Sequence, residues 1–383
     1  MNTKHTVLTY LSLITFIVLS LFLWSCNTGE NAIFYTLENE KRTVDNTLPN
    51  EVTVTGIVKI GDYYYVSLGA IYRRNASNSE NKWDPITIKM NGESSSGLCN
   101  NLAYFNGKLY GAFIMDSSDQ TATSFGLYSA TVNTNTTEID WSGPINIGAS
   151  QSEIQIVRLF IVNGTLIVIT KEETALPYNL YYSTDGSNFS HCATTFDLLP
   201  NDCTFFNSQY WLIVGNKIYT GNLSSFSEIS TTNYPEGKVS GTYFGGIYYS
   251  SDFGALYLSS RDGKIFSTTD GTTWKTANGG EPIKVSDKAV PFGIFYQINS
   301  NLMLLGTDGY GFYRIIGGDI TNSANIKRFS DNTKAELYSA SVLKFFKDPS
   351  TNPTVIFACT SGYGLWSNAD YSSLFQDSSW GRE

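Results

Sequence analysis

The sequence predicts an all-β chain folded as a β-propeller, with seven blades of four antiparallel strands each. Three observations predict it: a short aromatic motif repeated seven times, a strong β run before each copy, and an aromatic residue after each. The motif is an apolar or aromatic residue, then an aromatic, then usually a small polar residue or Arg. It occurs at Ile71-Tyr72-Arg73, Leu127-Tyr128-Ser129, Tyr181-Tyr182-Ser183, Ile218-Tyr219-Thr220, Ile265-Phe266-Ser267, Phe312-Tyr313-Arg314 and Leu365-Trp366-Ser367. The intervals between central aromatics are 56, 54, 37, 47, 47 and 53 residues, the length of one propeller blade.

The preceding runs are Tyr63–Leu68, Lys108–Ile114, Leu166–Thr170, Tyr210–Val214, Ala255–Leu258, Leu302–Leu305 and Thr354–Ala358. A further strand lies before each, joined by turns such as Phe105-Asn106-Gly107 and Val162-Asn163-Gly164; Asn-Gly between apolar runs is a strong hairpin signal. The following aromatics are Trp83, Trp141, Phe189, Phe226, Trp274, Phe329 and Trp380. A lone four-stranded sheet cannot cover both of its faces. Seven stacked around an axis bury each face against a neighbour.

Composition agrees. Hydrophobic residues make up 42% of 383, aromatics 14% and charged residues only 15%. Aromatic and β-branched residues favour strands. The net charge of −9 disfavours a nucleic-acid partner, because an acidic surface repels phosphates. Only His5 and His191 are present, so a His-rich metal site is excluded, while a carboxylate and carbonyl site for a hard cation stays open; no cofactor is expected.

The first 25 residues have the layout of a signal peptide: Lys4, then a largely apolar stretch from Val7 to Leu23. The stretch ends in Leu23-Trp24-Ser25-Cys26, which resembles the lipobox of bacterial lipoproteins, although Trp24 is larger than that family prefers. The resemblance implies cleavage before Cys26, lipidation of its thiol, and anchoring to an inner or outer membrane facing periplasm or cell surface. Several acyl chains anchor firmly, at about 0.8 kcal/mol per buried CH₂. Residues 26–50 are polar and amide-rich and read as a tether to a single domain spanning 51–383. Within the tether, residues 33–37 are a possible strand that could pair with the last blade and close the ring.

An exported compartment permits disulfides, and Cys192 and Cys203 are the expected pair; buried free thiols are the alternative. Ser183-Thr184-Asp185-Gly186-Ser187-Asn188-Phe189 and Thr268-Thr269-Asp270-Gly271-Thr272-Thr273-Trp274 resemble the Asp-box of sialidase-like propellers. In such a turn Asp185 and Asp270 accept from backbone amides, Gly186 and Gly271 take positive φ, and Phe189 and Trp274 pack beneath. The resemblance implies fold and not activity. The chain has few Arg and lacks the Arg-Ile-Pro stretch of that family.

Propellers bind ligands at the axial mouth formed by loops between second and third strands. The residues expected there are Asp116, Asp119, Lys171, Glu172, Glu173, Arg261, Asp262, Asp308, Tyr310 and Tyr363. Glycoside hydrolysis needs two carboxylates about 5 to 10 Å apart, which these loops could supply. No catalytic motif stands out. The sequence thus points to a membrane-anchored binding or scaffold propeller for a protein or glycan. A sialidase-like glycan hydrolase and an envelope-protein assembly factor are the alternatives.

Overall fold

A computed structural model describes residues 48–49, 51–77, 82–116, 123–148, 154–172, 177–235, 241–330, 334–348, 350, 354–368 and 380–383. Every copy of the aromatic motif lies on the third strand of a sheet, and every preceding β run on the second. The first blade is Gly56–Ile60, Tyr63–Leu68, Ala70–Asn75 and Asp84–Pro85; the second is Leu98–Phe105, Lys108–Asp116 and Thr123–Ala130. Blade 3 is Ile154–Val162, Thr165–Glu172, Tyr178–Ser183 and Ser190–His191; blade 4 is Pro200–Phe206, Gln209–Val214, Lys217–Gly221 and Phe226–Glu228. Blade 5 is Phe244–Ser250, Ala255–Ser260, Ile265–Thr268 and Lys275–Thr276, and blade 6 is Phe292–Asn299, Leu302–Thr307, Phe312–Ile316 and Ile326–Arg328. Blade 7 is Ser341–Asp348, Val355–Ser361, Leu365–Asn368 and Trp380–Arg382.

The first strands of successive blades lie side by side, and the first strand of blade 7 lies beside that of blade 1, so the ring closes. Among the described residues, the buried side chains form seven hydrophobic clusters, one for each pair of adjacent blades. Side-chain alternation along each second strand causes this. In blade 3, Leu166 and Val168 join blade 2, whereas Ile167 and Ile169 join blade 4. In blade 6, Met303 and Leu305 join blade 5, whereas Leu302 and Leu304 join blade 7. A strand covered on both faces therefore reads as an unbroken apolar run rather than an alternating one.

The interface between blades 7 and 1 carries several polar joints. Arg74 on blade 1 makes an ion pair with Glu383, and both are buried, 4% and 2% exposed. The Trp83 indole also donates to Glu383, at 3.1 Å. Asp348 on blade 7 accepts from Tyr64 Oη at 2.6 Å and from Lys59 Nζ at 2.5 Å. The Val54 amide donates to the Thr360 carbonyl at 3.0 Å, and the Gly364 amide to Val52 at 3.0 Å. Trp380–Arg382 supplies the fourth strand of the last blade, antiparallel to Leu365–Asn368. The strand expected at 33–37, like the leader and Cys26, lies outside the described residues.

Two local features differ from expectation. Blade 2 has no fourth strand paired along its length. Glu138–Trp141 runs parallel to Thr87–Met90 in the connection from blade 1, and the chain after it returns to the third strand through a Ser142–Ser129 bridge and the Ile145 amide, which donates to the Leu127 carbonyl at 2.7 Å. Arg73 donates to the carbonyls of Thr134 and Thr136, tying this segment to blade 1. The Cys192–Cys203 disulfide is absent: all four described cysteines, Cys99, Cys192, Cys203 and Cys359, are free and buried. Cys192 and Cys203 sit in the cluster between blades 3 and 4, where each acts as a small apolar side chain.

Candidate functional site

The hydrogen-bond ladder alternates strand direction, so each turn between second and third strands lies at the end of the ring where the first strands begin. Lys171, next to last on the second strand of blade 3, lies opposite Gln155 and Tyr178; Glu172 pairs with Ile154, and Asp116 with Thr123. Arg261 and Asp262 follow the second strand of blade 5, Asp308 and Tyr310 that of blade 6, and Tyr363 that of blade 7. The expected mouth residues thus share one rim, except Asp119 and Glu173, which fall outside the described residues.

On that rim several of the polar groups hold each other. Arg261 Nη1 donates to Asp308 Oδ2 at 2.9 Å, and Ser341 Oγ donates to Asp308 Oδ1 at 2.5 Å. One carboxylate therefore links blades 5, 6 and 7. Ser260 donates to Asp262. Tyr310 lies under the Arg328 guanidinium, 5.6 Å from its ring centre, and its carbonyl accepts from Arg328 Nε at 3.2 Å. The turns Thr307–Gly311 and Thr360–Gly364 repeat one geometry, the Thr hydroxyl donating to the Gly carbonyl at 2.8 and 2.6 Å. Among the described residues, no three His, Cys, Asp or Glu side chains converge as metal ligands. No described helix is long and apolar enough to cross a membrane.

Apolar exposure concentrates on the same rim. Among the described residues seven large hydrophobic side chains are exposed, and five of them lie there: Leu98, Leu198, Tyr243, Leu343 and Tyr363. Leu198 and Tyr243 both flank the Gly215 turn of blade 4, and Leu98 flanks the Gly69 turn of blade 1. The other two, Tyr104 and Ile161, lie near the ends of first strands, at the opposite face.

The opposite face carries the two aspartate turns. Asp185 Oδ1 accepts from the Ser187 and Asn188 amides at 2.7 and 2.8 Å, and Gly186, with φ 78°, donates to Ser183 Oγ at 2.8 Å. Asp270 Oδ1 accepts from the Thr272 and Thr273 amides at 2.7 Å each. The Asn188 donors, then the Ser187 amide and Ser183, hold the Asp185 carboxyl well below the usual carboxylate range; the Thr273 and Thr272 amides do the same for Asp270. Each turn also docks on the preceding blade. Tyr110 Oη donates to the Gly186 carbonyl at 3.1 Å, Asn106 donates to Thr184 at 3.0 Å, and Gly271 lies over the Trp211 ring.

Sequence reasoning missed a second polar feature, inside the ring. The residue four positions before the end of the first strand is Gly56, Asn101, Arg158, Asp202, Gly246 and Lys344 in blades 1, 2, 3, 4, 5 and 7. These residues pair with equivalent second-strand positions, Ser67, Ala112, Ile169, Ile213, Ser259 and Cys359, so they share one rung of the ring. A bulge lies just before the rung in blades 2, 3, 4, 5 and 7. Burial pushes the Asp202 carboxyl up to about 7, against the opposing pull of the Ile247 and Cys203 amides and Arg158. Its Oδ2 accepts from the Ile247 amide of blade 5 at 3.0 Å. The signal available in the sequence was a charge four residues before the end of the first strand in blades 3, 4 and 7.

No known family model matches the sequence, and no curated protein matches it. Solved structures do. A structure described as YCF48 bound to D1 peptide has a TM-score of 0.55 at 13% identity, covering 84% of this chain and 92% of that one. YCF48 from Cyanidioschyzon merolae follows at TM-score 0.52 and 11% identity, covering 83% and 95% of the two chains. The extracellular domain of the one-component system BT4673 from B. thetaiotaomicron gives 0.51 at 11% identity, covering 82% of this chain but 38% of that one. The chain is a seven-bladed β-propeller. At these identities the likeness carries the propeller fold and no function.

Proposed function

We propose that this propeller is a lipid-anchored, exported binding protein that captures a protein partner on the rim bearing Leu98, Leu198, Tyr243, Leu343 and Tyr363, without catalysing a reaction. The observation that carries this reading is the concentration of exposed large apolar side chains on one end of the ring. Exposed apolar patches mark interaction sites, and aromatic residues are enriched at interface cores. The Asp308 carboxylate, the group best placed for acid–base work on that rim, is already bonded to Arg261 and Ser341. A propeller of similar fold is described with a bound peptide, which fits the same use of the scaffold. We assign the two aspartate turns to the Asp-box type, with the role of fastening neighbouring blades. The lipobox-like Leu23–Cys26 supports an anchor on Cys26 at the envelope membrane.

Photo-crosslinking in intact cells tests both parts. With p-benzoylphenylalanine in place of Tyr243 or Tyr363, a discrete protein adduct is expected; in place of Tyr104, on the opposite face, none. Cys26→Ser should move the protein out of the membrane fraction. Equal adducts from both faces would remove the rim from the account. Glycan turnover by the purified chain would favour the hydrolase alternative.

A further inference from the structure

Four turns carry the pair Asn-Gly: Asn91-Gly92, Asn106-Gly107, Asn163-Gly164 and Asn278-Gly279. Their backbones are alike, with asparagine φ of 52°, 46°, 48° and 52° and a positive φ at each glycine. All four asparagines are exposed. Asn-Gly is chemically labile, because a glycine has no Cβ to hinder attack by its own nitrogen on the preceding side chain. Sequence and exposure therefore rank the four turns equally, and only their hydrogen bonds separate them.

Three of the side chains are tied down. Asn91 Nδ2 donates to the Gly143 carbonyl at 2.8 Å, and the Gly92 amide donates to Asp140 Oδ1 at 2.9 Å. Asn106 Nδ2 donates to the Thr184 carbonyl at 3.0 Å, and Asn278 Nδ2 to the Glu281 carbonyl at 3.3 Å. Among the described residues, the Asn163 side chain has no hydrogen-bond partner, and neither has the Gly164 amide. The ring explains the difference. The first-hairpin asparagine of blade 2 holds the aspartate turn of blade 3, and Asn207 of blade 4 reaches Asp270 in that of blade 5, at 3.5 Å. Asn163 belongs to blade 3, and the corresponding turn of blade 4 is not an aspartate turn. It is the short link Asn222–Ser225, which bonds to itself through Asn222 Oδ1.

We propose that Asn163-Gly164 is a site of spontaneous covalent modification, converting to aspartate and isoaspartate ahead of the other three turns. The Gly164 nitrogen attacks Asn163 Cγ, and a new C–N bond forms. The bond from Cγ to the side-chain nitrogen breaks, and that nitrogen leaves as ammonia with the amide proton. Water then opens the five-membered succinimide at either carbonyl. The balance is one side-chain amide and one water in, one carboxyl and one ammonia out. Opening at the main-chain carbonyl leaves isoaspartate, with an extra methylene in the backbone of a two-residue hairpin turn. The next residue is Thr165, whose hydroxyl lies 3.1 Å from Tyr210 Oη between blades 3 and 4. The turn lies on the face opposite the apolar rim, so the site stands apart from partner capture.

The test incubates the full chain at pH 8 and 37 °C, folded and in urea. Tryptic mass mapping follows the amide-to-acid mass gain at each turn, and an isoaspartyl methyltransferase labels isoaspartate. In the folded chain Asn163 should convert about tenfold faster than Asn106, the factor supplied when one ordinary hydrogen bond must break first. In urea, where the tie to Thr184 is lost, the two rates should come together. Asn163→Gly keeps a turn that accepts positive φ and should remove the fastest methyl label. Equal rates at Asn106 and Asn163 in the folded chain, a tenfold difference that persists in urea, or conversion of Asn163 without isoaspartate would overturn the proposal.

Discussion

Replacing Glu383 by alanine is expected to destabilise the propeller by about 3–5 kcal/mol, the usual cost of removing one partner from a buried ion pair. The Arg74 guanidinium it faces is 4% exposed, packed 5.3 Å from the ring centres of Tyr64 and Trp83, and cannot rehydrate without opening blade 1 from blade 7. By contrast, Arg261→Ala breaks a pair whose side chains are 49% and 55% exposed, and should cost under about 1 kcal/mol. Urea denaturation of the two variants checks the difference. Acid should open the same interface. Burial acts to raise the Asp348 carboxyl, but Lys59, Tyr64 and Ser350 donate to it and hold it down to about 2, below its ordinary 3.8. A depressed carboxyl stabilises the fold fully above the unfolded value, and the contribution, about 2 kcal/mol, is lost as pH falls through the folded one. Asp348→Asn should flatten the fall in stability between about pH 4 and pH 2.

Gly245→Ala should be at least as damaging, for a steric reason. A Cβ at Gly245 would lie 1.8 Å from the Phe292 carbonyl oxygen and 2.7 Å from its carbon. Both are backbone atoms on the first strand of blade 6, so no rotamer change relieves the clash. The first strands of blades 5 and 6 must separate, pulling on the cluster that contains Tyr257, Phe292 and Met303. The expected loss is about 3 kcal/mol or more, at the upper end for overpacking, and shows as reduced soluble yield and a lower melting temperature. Gly293→Ala, on the facing strand, is the control. Its Cβ would come no closer than 3.4 Å to any atom, so its effect should be small.

Both predictions rest on the close approach of blades, which the sequence announced through its repeats. The seven motifs were legible because each third strand must place an apolar residue in one interface and an aromatic in the other, as Ile265 and Phe266 do. The mouth residues were legible because turns after second strands share one end. Their bonding was not, since Asp308 meets Arg261 and Ser341, which are 47 and 33 residues away in sequence. Arg158, Asp202 and Lys344 escaped because a lone charge on a first strand carries no repeat signal, and only the bulge before it fixes the common rung. The Cys192–Cys203 pairing failed because closeness along the chain does not set sulfur geometry: Cys192 follows the last strand of blade 3, whereas Cys203 lies within the first strand of blade 4.

The central claim is that seven sheets bury their faces only in one another, with the last blade against the first. Thr53 and Ser361, 308 residues apart, bring their hydroxyl oxygens within 3.4 Å across that last interface. Thr53→Cys with Ser361→Cys, oxidised in dilute solution, should give an intramolecular disulfide in high yield, joining a tryptic peptide from blade 1 to one from blade 7 in a monomeric protein. Only intermolecular disulfides, or two free thiols after oxidation, would mean that the ring does not close where blade 7 meets blade 1.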